Sequence, residues 1–472
     1  MTSPAREWRA SPRQELAVVG AALPVIVIAG AITAVLVAHF GPAKVIWVLA
    51  VLLGAIWAIG DRRRIAIVLV LALSFPFRTK LLFGLQIHTT QLLLVAMAGL
   101  GIVDVALRRR QVPRGLLAPM SLMVAGALIA SLAGPFPGDS LLRTLWGVAL
   151  PVLAALFLAM TLESGRDIRL VVIALAAGIA AESVIALAQA AGKAPAIFPM
   201  WEKTRAVGLF LHPNILGNFL AAGLLILIGV ATMAWRRSPL TAAVLVPVVL
   251  IGLGGLVVTE SRGAVIGLVA GLAVLLTTMF VRRQAVPILT LLAFIALTFA
   301  VAVPRIPEAE RAQFAKRFDA LTQPGSEAGR ERIYGEANYV LREYPLTGVG
   351  PLTFGQIGSQ RAAVPGIECC LTHSHSLALE TVLSLGPLGT LGLIWLAVGS
   401  WIRLQRVARR RGDPVTAGWA IGVTSALAAL VVAGTFDFVY WQPEMLVLLL
   451  LLLVSGYALV RDADRSAAHS AS

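Results

Sequence analysis

Apolar runs long enough to cross a lipid bilayer recur from one end of this chain to the other. They constrain the fold more than any other feature. A hydrocarbon core of about 30 Å needs roughly 20 helical residues. Runs of that order lie at 15–38, 44–60, 240–258, 263–281, 285–303 and 443–460. Of the 472 residues, 58% are hydrophobic and only 13% are charged, too few to keep so much apolar surface in water. Lipid offers the backbone no hydrogen-bond partners, so an open chain that spans it must be helical. The expected class is therefore all-α, a polytopic membrane protein with about 12–14 transmembrane helices. The first apolar run is too long for a cleavable signal peptide and reads as a span.

A net charge of +15 raises the question of nucleic acid. The placement of the charge answers it. Arginines cluster at Arg62–Arg64, at Arg108–Arg110 with Arg114, at Arg236–Arg237, at Arg282–Arg283, and from Arg403 to Arg411. These clusters follow every second span, as cytoplasmic loops do under the positive-inside rule. No nucleic-acid partner is expected.

Alternating from a cytoplasmic N-terminus at Arg6, Arg9 and Arg13, spans fall near 15–38, 44–60, 65–77, 89–107, 116–134, 145–162, 169–191, 214–234, 240–258, 263–281, 285–303, 373–401, 416–436 and 443–460. Both termini are then cytoplasmic. The chain divides into membrane helices over 1–303 (about 11 spans), a long outer loop over 304–372, and a C-terminal part over 373–472 with about three spans and a short tail. The loops 192–213 and 259–263 also fall outside. In the long loop, "EAERAQFAKRFDALT" has an amphipathic helical pattern. A second helix is predicted in "GRERIYGEANYVLREYPLTGVGPLTFG", ended at Pro345 and followed by a Gly-rich turn. The loop is too short for an ordinary domain and long enough to form a lid.

The outer face should be poor in arginine, yet Arg205, Arg262 and Arg330 stand there beside Gly-rich turns. Each alone reads as a snorkelling or ion-paired side chain, with Glu260 and Glu331 as ready partners. Three together suit a phosphate ligand, because guanidinium forks match phosphate oxygens. His375 begins a span and is a candidate general base. A histidine at a helix start also has a structural reading. Ser374 or Thr372 is a candidate cap for that helix. Glu380 lies five residues beyond His375, a poor spacing for a direct pair.

The stretch "ECCLTHSH", residues 368–375, holds the only two cysteines, Cys369 and Cys370, beside His373 and His375. Structural zinc wants four ligands with room for a tetrahedron, and adjacent cysteines chelate one ion awkwardly. No metal is expected. On the outer side thiols tend to pair. A vicinal disulfide, an intermolecular disulfide and two unpaired thiols all stay open.

In this order and spacing, "TRAVGLFLHPNILGNFLA", "TESRGAVIGLVAG", "GRERIYGEANYVLREYPLTGVGPLTFG" and "THSHSLALETVLSLGPLGTLGLI" resemble the O-antigen ligase and O-antigen polymerase superfamily. The resemblance covers residues 200–400. It implies a fold similar to the large helical C-type glycosyltransferases of the bacterial inner membrane. It implies a donor glycan on undecaprenyl diphosphate and transfer, without metal or other cofactor, on the periplasmic side. The acceptor would be lipid A–core for a ligase, or another carrier-linked glycan for a polymerase; relatives transfer glycan to protein. Carried over residue by residue, the catalytic set is His375, Arg205, Arg262 and Arg330. Asn214, Tyr334, His373 and Ser376 join it as expected substrate contacts. The family usually has Asn directly after the histidine; here Ser376 stands in its place. The implied chemistry is a single inverting displacement with His375 as base. From a different class, a secondary transporter also has many spans, but it would carry ionisable groups near the midplane. Glu182 is the main residue of that kind here.

Overall fold

The computed structural model describes residues 61–74, 78–80, 86–107, 110–162, 164–193, 205–302, 328–361, 373–409 and 413–470, with isolated positions 304, 308 and 312. Contacts divide the chain into Met1–Ile65 and Ala66–Ser472. All that follows on packing and on the site concerns the second unit.

The described elements are, in chain order, α1 (Arg62–Ser74), β1 (Arg78–Lys80), β2 (Gln86–His88), α2 (Thr89–Ala106) and α3 (Leu117–Ala133). Next come α4 (Pro137–Thr161), α5 (Gly165–Ala190), α6 (Pro213–Ala234), α7 (Pro239–Val258), α8 (Arg262–Val281) and α9 (Ala285–Ala302). Then follow α10 (Ala328–Glu343), α11 (Phe354–Arg361), α12 (Leu377–Arg409), α13 (Pro414–Ala433) and α14 (Pro443–Ser470). The expected all-α class holds. A short antiparallel ribbon of β1 and β2, with Arg78 opposite His88, is the departure from it among the described residues. Eight of these helices are long and apolar enough to cross a membrane, and three shorter apolar ones accompany them. The protein is multi-pass. Each of the twelve expected spans from 65–77 onward meets a helix. The first two, 15–38 and 44–60, lie outside the described residues.

α6 is the centre of the bundle. Its whole spanning window is buried, and it is apolar on every face, as a helix surrounded by others must be. It packs on α13, α7 and α8. In lipid there is no hydrophobic drive between helices, so close backbone approach does the work. A Cβ on Gly418 would lie 2.5 Å from Val230 Cα, and one on Gly422 would lie 2.5 Å from Ile226 Cα. α13 therefore meets α6 backbone to backbone. α12 packs on α3 in the same way, through Gly126 and Gly389.

α12 breaks at Gly386, which has φ 63 and ψ 177, just before Pro387. Proline has no N–H to give the carbonyl four residues earlier. That carbonyl is Leu383 O, and it accepts instead from Val349 N at 2.7 Å and Gly350 N at 3.1 Å. The kink thus docks the segment 328–361 onto the membrane helices. Val340, Val349, Phe354 and Leu383 close a small core around this joint. Each such side chain contributes about 1.5–3 kcal/mol when it leaves water. The predicted helix before Pro345 is α10, and the Gly-rich turn follows it. α11 had no sequence signal. The "EAERAQFAKRFDALT" helix lies outside the described residues.

At one end of the bundle, Ser164 and Asp167 form a capping box on α5, and Asp413 caps α13 through Thr416 N. Arg169 reaches Asp413 at 2.6 Å. The opposite end carries the site.

Candidate functional site

Five helix ends converge there. They are the starts of α6, α8 and α12 and the ends of α7 and α13. Asp437, in the turn after α13, is the hub. Its Oδ1 lies 3.0 Å from His375 Nδ1 and 3.2 Å from His373 Nε2. The same oxygen accepts from the Phe438 amide at 2.9 Å. Its Oδ2 accepts from Asn214 Nδ2 at 2.8 Å. Burial pushes the Asp437 carboxyl up, but the hydrogen bonds and charges of the two histidines outweigh it. The carboxyl sits well below the usual range. It is an anion at any ordinary pH.

The network continues through Asn214, whose Oδ1 accepts from Arg205 Nη2 at 2.8 Å. Arg205 is buried. Its Nε donates to Thr259 O at 2.9 Å, and Nη2 also reaches Glu260 O at 3.4 Å. Arg205 therefore clamps the "TESRG" turn, where Glu260 has a positive φ of 51. The Asn214 amide is engaged on both sides. Asn214 N in turn donates to His212 Nδ1, the cap of α6.

The two histidines differ in access. The His375 side chain is 36% exposed and that of His373 is 7% exposed. Their rings lie 4.3 Å apart. In a neutral imidazole, an Nδ1–H donated to a carboxylate leaves the Nε2 lone pair on the far side of the ring. His375 thus offers a basic nitrogen to the open side. Its φ is 52, in the left-handed region, a strain of about 1–2 kcal/mol for a residue with a side chain. Buried Glu380 holds this turn, accepting from Ser374 N at 2.8 Å and from Ser384 Oγ at 3.2 Å. No direct His375–Glu380 bond is needed; the carboxylate grips the preceding residue instead.

The helix cap differs from the one expected. Ser376 sits just before α12 and accepts from Leu379 N at 3.4 Å, while Ser374 Oγ donates to Ser376 O. The span starts four residues later than hydropathy placed it, so the capping role moves from Ser374 to Ser376. Thr372, Cys369 and Cys370 lie outside the described residues.

Arg262 opens α8 beside the clamped turn. Its Nη1 is buried and has no hydrogen-bond partner among the described residues. Arg330 is half-buried on α10. One turn on, Tyr334 donates to Thr435 O at 3.3 Å, two residues before Asp437. α10 is thereby tied to the site's central loop.

Glu182 lies in α5 and is fully buried. Its Oε2 accepts from Leu209 N at 2.9 Å. Gln189, on the same helix, accepts from Val207 N and Gly208 N and donates to Gly208 O. Both side chains shape the loop between Arg205 and Asn214. The mid-span acid is thus engaged in holding that loop.

The atoms His373 Nε2, His375 Nδ1 and Asp437 Oδ1 lie within 4.8 Å of one another, close enough to share a cation. Both nitrogens are already at hydrogen-bond distance from the oxygen. One carboxylate serving two imidazoles accounts for the geometry.

Residues 247–394 match the family model described as O-antigen ligase. No curated protein matches the chain. The matched segment holds Arg262, Arg330, Tyr334, His373, His375 and Ser376, while Arg205, Asn214 and Asp437 reach the site from outside it. This match covers about a third of the chain and, on a frame of many membrane helices, supports the O-antigen ligase superfamily.

Proposed function

We propose that the protein transfers a glycan from undecaprenyl diphosphate to a hydroxyl of lipid A–core, at the periplasmic face of the bacterial inner membrane. The observation that carries this reading is the part-exposed His375, backed by the half-buried anion Asp437, at the same helix ends as Arg262 Nη1, which has no hydrogen-bond partner among the described residues. His375 Nε2 takes the proton of the acceptor hydroxyl. The freed oxygen bonds to the anomeric carbon of the donor sugar. The bond from that carbon to the phosphate oxygen breaks, and its electron pair leaves on the diphosphate. One displacement inverts the anomeric centre. Asp437 keeps His375 in the productive tautomer and stabilises the imidazolium.

Arg262 and Arg330 meet the leaving diphosphate, where guanidinium groups supply the stabilisation that a metal supplies elsewhere. Arg205 acts from behind by fixing the turn that presents Arg262. Asn214 and His373 hold Asp437, and Tyr334 ties α10 to the site. The described part of the long loop, 328–361, docks on α12 beside the site and keeps water from the activated sugar. Both termini are cytoplasmic in this arrangement, which sets the arginine clusters Arg236–Arg237 and Arg282–Arg283 inside.

The test is glycan transfer in proteoliposomes with carrier-linked donor, offered either lipid A–core or a second carrier-linked glycan. Product on lipid A–core supports the ligase. Product only on the carrier makes the protein a polymerase, and solute movement without transfer overturns the enzyme reading.

A further inference from the structure

Two imidazoles share one oxygen of Asp437. His375 Nδ1 lies 3.0 Å from Oδ1 and His373 Nε2 lies 3.2 Å from it. All three atoms fall within 4.8 Å of one another. A tetrahedral zinc ion with bonds of about 2.0–2.1 Å sets neighbouring ligand atoms about 3.3–3.4 Å apart. Two of the separations here fall short of that by only a few tenths of an ångström. Small movements of the two rings let one ion take the place of the two shared protons.

The carboxylate is held for such a task. Its Oδ1 also accepts from Phe438 N at 2.9 Å, and its Oδ2 accepts from Asn214 Nδ2 at 2.8 Å. Asn214 is fixed in turn by Arg205. Hydrogen bonds one shell out orient metal-binding carboxylates in this way. The His375 side chain is 36% exposed, which gives an ion a route in and leaves its fourth position to water. Imidazole nitrogen and carboxylate oxygen suit zinc and its neighbours in the first transition row. Mg²⁺ and Ca²⁺ prefer six or more oxygens.

We propose that His373, His375 and Asp437 form an inhibitory site for a zinc-like divalent cation. With the ion on His375 Nδ1, the proton that Nδ1 gave to Asp437 passes to Nε2. The ring loses no proton, but Nε2 now carries one and cannot accept another from a hydroxyl. His373 changes likewise, its proton passing from Nε2 to Nδ1. The inhibition rests on the proposed function; the binding does not.

The test uses the tag-free full chain in detergent, without substrate, and Co²⁺ as a spectroscopic stand-in for zinc. One Co²⁺ per chain should give the strong visible band of a four-coordinate ion. His375→Ala and His373→Gln should each weaken that binding about tenfold or more, with the size-exclusion profile unchanged. In proteoliposomes, Zn²⁺ should stop glycan transfer and EDTA should restore it. Mg²⁺ or Ca²⁺ at the same concentration should have no effect. His373→Gln, measured against its own metal-free rate, should need about tenfold more Zn²⁺ for half-inhibition. An equal need in both proteins means that the ion acts on the donor diphosphate, and overturns the inference. A visible band that persists in both histidine variants, or full transfer with zinc bound, overturns it too. Cobalt binding that needs both histidines, in a protein that transfers no glycan, upholds the cation site and refutes the proposed function instead. Transfer by a protein that shows no cobalt band refutes the site alone.

Discussion

Replacing Asp437 by Asn exchanges one oxygen for an amide and removes one charge. The carboxylate accepts on both oxygens, from His373, His375 and Phe438 N on Oδ1 and from Asn214 on Oδ2. An Asn side chain accepts on one atom only. If its oxygen faces the histidines, its NH2 meets the Asn214 NH2, donor against donor. If it turns round, it presents a donor to His375 Nδ1 and favours the tautomer with the proton on Nε2, which cannot act as a base. Asn214 cannot flip to resolve the clash, because Arg205 Nη2 holds its oxygen at 2.8 Å. A positioned general base contributes about 10²–10⁴-fold, or about 2.7–5.5 kcal/mol of barrier. Asp437→Asn should lose most of that in kcat while the donor KM stays within a few fold, since Asp437 does not touch the donor. The assay is initial-rate transfer in proteoliposomes with donor and acceptor varied separately. A kcat within threefold of wild type refutes the role given to Asp437.

Glu380→Leu strands the Ser374 N–H in a buried place and should cost about 1–3 kcal/mol, read as a lower melting temperature in detergent, with activity falling too. Gly208→Ala puts a Cβ at 2.1 Å from Glu182 Oε2 at a φ of 59, so expression as a monodisperse protein should fall sharply in size-exclusion runs. The folded Asp437 carboxyl lies well below its unfolded value of about 3.9, so it contributes stability above that value, lost as pH falls through the folded one. Thermal unfolding should show that loss set in as pH falls below about 4 and grow as it falls further, and Asp437→Asn should flatten it. Arg205→Lys cannot span Thr259 O, Glu260 O and Asn214 Oδ1 with one ammonium, so it should lose activity nearly as Arg205→Ala does in the same transfer assay.

The membrane helices were legible because lipid leaves the backbone one solution, and hydropathy counts its length. Helix ends were less so. The span placed at 373 starts at Leu377, because "THSH" is neither apolar nor charged enough to mark the boundary, and the cap moved with it. The histidines and outer arginines were legible as residue types that lipid tolerates only at a cost. Their roles were not all legible. Arg205 reads as a phosphate ligand in sequence and acts as a clamp in space, since its partners are backbone carbonyls 54 and 55 residues away. Asp437 was missed. It sits 62 residues after His375 in "TFDFVYW", with no spacing that links the two. The available signal was an acid placed directly at the outer end of an apolar span, a position that demands a partner. Glu182 stands out in the sequence as the main ionisable residue within a span, but its task of holding the loop does not show, because its partner, the amide of Leu209, leaves no trace in side-chain pattern.

The central claim is that His375 is the base for glycan transfer from a polyprenyl diphosphate. The most direct measurement is the transfer rate of purified His375→Ala against wild type in proteoliposomes, in EDTA, with release of undecaprenyl diphosphate followed in the same samples. Wild type should transfer in EDTA and release one carrier per glycan moved, and His375→Ala should be slower by about 10²-fold or more on both readouts. Transfer by His375→Ala at the wild-type rate would contradict the claim.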